Sequence, residues 1–87
     1  MVHVPALLRR LTGGRDQVAA QGRNVRELID DLDRQFPGFK NALIQGDQLA
    51  GSVALWVGGQ VATRGLLEPV QETSEVYFLP AISGGLI

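Results

Sequence analysis

The sequence has no cysteine and only one histidine, one tryptophan and one tyrosine in 87 residues. Without cysteine there is no disulfide framework, no thiol nucleophile and no cysteine-based metal site. The lone histidine, His3, stands in the first apolar segment with no acidic residue beside it in sequence. It reads as a satisfied or solvent-facing side chain rather than a general base. Charge of one sign is missing too. The formal net charge is -1, and the arginines (Arg9, Arg10, Arg15, Arg23, Arg26, Arg34 and Arg64) are scattered, so no basic field invites nucleic acid or an anionic membrane. No apolar run approaches the roughly 18–20 residues of a membrane span. Met1 to Pro5 reads as a strand rather than a charged leader before an apolar core. The expectation is a soluble, cytoplasmic protein. A chain of 87 residues suffices for one domain and leaves little volume for a deep substrate cavity.

What is present is a regular α+β pattern, in a chain with 45% hydrophobic and 20% charged residues. Val2 to Leu8 reads as a strand, made an edge or bent by Pro5. Thr12 to Asp16 has turn composition, and Gln17 to Ala20 returns as a weaker strand. Asn24 is placed as a helix N-cap, with Glu27 three residues later completing a capping box. Val25, Leu28, Ile29, Leu32 and Phe36 then follow one helical face, and Pro37-Gly38 ends it. Residues 38–51 form a connection with a short helical turn through Asn41 to Ile44. Ser52 to Val57 is a strand, Gly58-Gly59 a two-residue hairpin turn, and Gln60 to Thr63 its return. Leu66 to Thr73 looks irregular, and Glu75 to Leu79 is the strongest strand. One helix across a mixed sheet of four to five strands is the β-grasp arrangement.

Catalytic constellations are lacking. No serine has a histidine and an acid at suggestive spacing, and no glycine loop matches a phosphate-binding pattern. Asp30, Asp31 and Asp33 spread around the helix axis instead of converging on a metal. Of three glycine pairs, Gly13-Gly14 and Gly58-Gly59 lie between strands and are explained as turns. Gly84-Gly85 has no later strand to turn toward.

The run Glu75-Val76-Tyr77-Phe78-Leu79-Pro80-Ala81-Ile82-Ser83-Gly84-Gly85 closely resembles the C-terminal signature of the ThiS/MoaD family of sulfur carriers. The capped helix, Phe36-Pro37-Gly38, the strand-turn-strand around Gly58-Gly59 and the final strand come in that family's order. The resemblance implies a ubiquitin-like β-grasp domain over residues 1–80 and a flexible tail over 81–87. It also implies a protein co-substrate, not an enzyme. An E1-like partner would use ATP to adenylate the Gly85 carboxylate, and a persulfide sulfur would convert it to a thiocarboxylate for a sulfur-acceptor enzyme. The carrier itself binds no cofactor. Gly84 and Gly85 let the tail thread a narrow channel, and Pro80 stiffens its exit from the sheet. Family members typically end at the second glycine. Leu86-Ile87 therefore implies a precursor, trimmed after Gly85 by a JAMM-type zinc metallopeptidase; a cloning remnant is the alternative source of the two residues.

Strand alternation puts Val2, Val4, Ala6, Val53, Leu55, Val57, Val76 and Phe78 under the helix. It turns Leu7, Trp56, Tyr77 and Leu79 outward, next to Pro80, as the expected partner-docking face. The sequence leaves open which pathway receives the sulfur: molybdopterin (as the small subunit of its synthase), thiazole, cysteine or homocysteine, or thiolated tRNA, with the extension tilting toward amino-acid biosynthesis. Two other readings stand beside carriage: a protein modifier conjugated to lysines through Gly85, and a plain β-grasp interaction module.

Overall fold

The computed structural model describes residues 1–49 and 53–80. The chain opens with β1 (Val2–His3), a 3-10 helix (Ala6–Thr12) and β2 (Gln17–Val18), followed by α1 (Val25–Gln35) and α2 (Phe39–Leu43). A small hairpin, β3 (Ile44–Gln45) and β4 (Gln48–Leu49), precedes β5 (Val53–Val57) and β6 (Gln60–Val61). A 3-10 turn (Gly65–Leu67) leads to β7 (Val76–Pro80). The main sheet has five strands in the order β2-β1-β7-β5-β6. Only β1 and β7 run parallel, joined by the long crossover through α1, and every other pairing is antiparallel. This is the mixed five-stranded β-grasp sheet with one main helix that the sequence predicts.

The helix forms where its pattern requires. The Asn24 side chain accepts from the Glu27 amide at 2.9 Å, and Val25, Leu28, Ile29 and Leu32 are buried. The reciprocal half of the capping box differs: the Glu27 carboxylate accepts from the Arg23 amide at 3.1 Å, one residue before the expected partner. Gly22 is required by close approach, since a Cβ there would lie 2.5 Å from the Leu28 amide nitrogen. Phe39, Phe78, Leu55 and Val76 complete the core between helix and sheet.

Three expectations are corrected. The first strand stops at His3 instead of continuing to Leu8. Pro5 has no N–H to extend a parallel ladder that runs from Val2↔Val76 to His3↔Tyr77, so the chain turns into the 3-10 helix. Ala6 is consequently exposed on that helix rather than under α1, and Leu7 lies on it rather than on a strand. The helical turn after Gly38 begins two residues earlier than expected, at Phe39. The β3–β4 hairpin went unassigned, although Gly46-Asp47 between Ile44-Gln45 and Gln48-Leu49 is a two-residue turn signal. The turn at Gly58-Gly59 is as predicted: both residues have positive φ, 61° and 84°, the pair of left-handed conformations that a type I′ hairpin demands.

Candidate functional site: the outer sheet face and the C-terminal exit

With α1 covering one side, no helix among the described residues covers the other side of the sheet. Register aligns one outward residue from every strand into a row: Gln17, His3, Tyr77, Trp56 and Val61. Leu79 faces outward one step further along β7, opposite Ala54. Trp56 is 36% exposed, Tyr77 37%, Leu79 42% and Val61 57%. By contrast Leu55, Val76 and Phe78, which point inward, are buried, and Val53 and Val57 are partly buried against the same core. Four large apolar or aromatic side chains exposed together on a small domain form the kind of patch that binds protein.

Trp56, Tyr77 and Leu79 thus stand where sequence alternation puts them. The Leu7 backbone sits on the 3-10 helix, and its side chain and that of Pro80 lie outside the described part. Gly84, Gly85, Leu86 and Ile87 also lie outside the described residues. What is described is their point of departure. Pro80 is the last residue of β7, the central strand, opposite Val53 of β5. Beyond His3 and Tyr77 the β1–β7 ladder ends at Pro5, leaving a groove of about 390 Å³ beside the last residues of β7. Pro5, Arg9 and Asp16 border it on one side, Tyr77 and Leu79 on the other. The Arg9 Nε donates to the Val4 carbonyl at 3.3 Å, which holds the guanidinium at this rim.

His3 is the residue that sequence reading passed over. Its ring stacks on Tyr77 with centroids 3.9 Å apart and planes 4° from parallel. Its Nε2–H donates to Glu75 Oε1 at 2.6 Å. No local signal could have announced this, because the acid lies 72 positions away and arrives only through the parallel pairing of β1 with β7. Val61 was assigned to a strand, but its place on the outer row depends on the β5–β6 register.

The acidic residues of α1 do other work. Asp31 accepts from the Gln21 amide at 3.0 Å and from Gln35 Nε2 at 2.8 Å, and it pairs with Arg34. Asp33 accepts from the amides of Gly38 and Lys40 at 3.0 and 3.1 Å. Backbone donors hold both carboxyls below the usual carboxylate range. A concavity of about 730 Å³ is an open groove of mixed charge on the helix side, bordered by Arg23, Asp30, Arg34 and Glu72. It has neither the apolar lining nor the enclosure of a ligand pocket.

Comparison with known proteins agrees with this geometry. A model described as the ThiS family matches residues 2–85. The chain is 29% identical over 89 residues to the sulfur carrier protein CysO of Mycobacterium tuberculosis, covering 97% of this chain and 96% of that protein. Among solved structures, it is similar to a chain of the Amycolatopsis orientalis BexX/CysO complex (32% identity, 97% of each chain, TM-score 0.89). It also resembles the small archaeal modifier protein 1 from Methanosarcina acetivorans (26% identity, 97% of this chain and 93% of the other, TM-score 0.78).

Proposed function

The chain belongs to the ThiS family, and we propose that it works as a sulfur carrier through a thiocarboxylate on Gly85. The observation that carries this reading is the continuity of the family match through Gly85 on a chain whose central strand leads into the Gly84-Gly85 tail. In this reading Leu86 and Ile87 are removed first, by a JAMM-type zinc peptidase. An E1-like enzyme then spends ATP to adenylate the freed Gly85 carboxylate, releasing pyrophosphate. A persulfide donor displaces AMP to form an acyl disulfide, and a thiol reduces that S–S bond, leaving the Gly85 thiocarboxylate and a disulfide. The carrier contributes an address and a handle, while the partners contribute the catalysis. The address is the outer face, where Trp56, Tyr77 and Leu79, with Leu7 and Pro80 nearby, dock against the activating and acceptor enzymes. That a similar protein crystallised in the BexX/CysO complex supports a protein partner for this one. The likeness to CysO favours an acceptor in cysteine biosynthesis, and the reactions belong to the cytoplasm.

A second reading, conjugation to lysines as a protein modifier, is favoured by the likeness to the archaeal modifier. One experiment separates the two. Intact-mass spectrometry of the protein recovered from its native cells is expected to give a species ending at Gly85 with an oxygen-for-sulfur increment. Lysine adducts carrying the chain would establish conjugation instead. A full-length species without sulfur would overturn both.

A further inference from the structure

The contact between His3 and Tyr77 is more than docking by an apolar patch requires. We propose that His3 is a positioning residue, which holds the Tyr77 ring in the orientation in which it meets the activating partner. This inference rests on the docking reading given above.

Tyr77 stands on the outer face between Trp56 of β5 and His3 of β1. A tyrosine exposed on a sheet ordinarily samples more than one χ1 rotamer. Here the coplanar imidazole at 3.9 Å closes the space on the β1 side. The imidazole is itself held, because Glu75, immediately before β7, and Tyr77 of β7 both reach it. His3 bridges them, stacking on one ring and donating to the other residue's carboxylate. Its side chain is 18% exposed, against 52% for Glu75. The clamp is therefore built on the surface. It leaves Val2, Val76 and Phe78 to hold the same strands from beneath.

Immobilising an exposed aromatic before binding removes an ordering cost that the complex would otherwise bear. The occupant is the protein that takes the tail. Gly85 lies six residues beyond Leu79, at most about 20 Å along an extended chain. An enzyme that receives the carboxylate in its active site therefore meets Tyr77 and Leu79 with the surface around its channel.

The test uses the E1-like adenylating enzyme that forms an acyl-adenylate with this protein trimmed at Gly85. Chains ending at Gly85 and carrying His3→Ala, His3→Phe, Glu75→Ala or Trp56→Ala are titrated into it by calorimetry, beside the otherwise unaltered trimmed chain. His3→Ala should weaken binding about fivefold, whereas His3→Phe, which keeps a flat ring against Tyr77, should stay within about twofold. Glu75→Ala frees the imidazole without altering β1, so it should weaken binding in the same direction even if His3→Ala folds poorly. In the free protein the Tyr77 ring protons should lose their ring-current displacement in His3→Ala. Unaltered binding by His3→Ala, equal losses for Ala and Phe, or unmoved Tyr77 resonances would each overturn the positioning role. Unaltered binding by Trp56→Ala as well would remove the docking reading, and this proposal with it.

Discussion

At the scale of single residues, backbone amides outnumber the helical carbonyls available to them around α1, and carboxylates fill the deficit. Glu27 accepts from Arg23, Asp31 from Gln21, and Asp33 from Gly38 and Lys40. Each of these carboxyls is held below its ordinary value, chiefly by those backbone donors. A carboxyl whose pKa is lower folded than unfolded adds stability above the unfolded value, and that stability is lost as pH falls through the folded one. Urea midpoints followed by Trp56 fluorescence should therefore be flat from neutral pH to about 5 and decline below about 4. Asp33→Asn should lower the midpoint at neutral pH and flatten the acid decline. A decline equally steep in that variant would show that other groups govern acid unfolding. The cap at Asn24 was legible because its partners lie within three residues. Asp31 with Gln21, ten positions apart, and His3 with Glu75, seventy-two apart, were not, since only the packed chain brings them together.

At the scale of elements, legibility followed the length of the periodic signal. In the five-residue strands β5 and β7, Leu55, Val76 and Phe78 are buried and Val53 and Val57 packed against the core, while Trp56, Tyr77 and Leu79 are exposed, as the alternation predicts. The two-residue strands carry almost no periodicity, which is why β3 and β4 were left within a connection. In the opening segment apolar content suggested a strand, but the missing amide of Pro5 decided the backbone instead. The same alternation gives opposing mutations. Phe78→Ala, at a fully buried position under α1, should cost roughly 3–5 kcal/mol. Trp56→Ala, on the outer face of the sheet, should cost about 1 kcal/mol or less while weakening association with the adenylating enzyme. Thermal unfolding and calorimetric titration measure the two effects separately. A loss of stability in Trp56→Ala as large as in Phe78→Ala would mean that this face is structural.

At the scale of the whole molecule, the parallel pairing of β1 with β7 makes the C-terminal strand the middle of the sheet, bonded on both sides. A pull on the tail is thus borne by the best-anchored strand, while the residues proposed to carry chemistry follow Pro80 in sequence. That part of the candidate site is legible as a motif, because its residues are consecutive in sequence. The outer face proposed for docking draws on five strands and is legible in sequence only where β5 and β7 supply it. The separation of fold from chemistry gives a decisive substitution. Gly85→Ala adds one methyl group at the proposed reaction centre, five residues beyond the end of β7. It should leave the thermal midpoint unchanged to within about 1 °C. In a narrow channel the same methyl group restricts φ and obstructs the carbonyl, so ATP-dependent sulfur loading of the trimmed chain should fall to background. Loading at the rate of the unaltered chain would place the chemistry elsewhere. A lowered midpoint would mean that the tail packs on the domain, in which case the activating enzyme would have to displace it before the carboxylate could react.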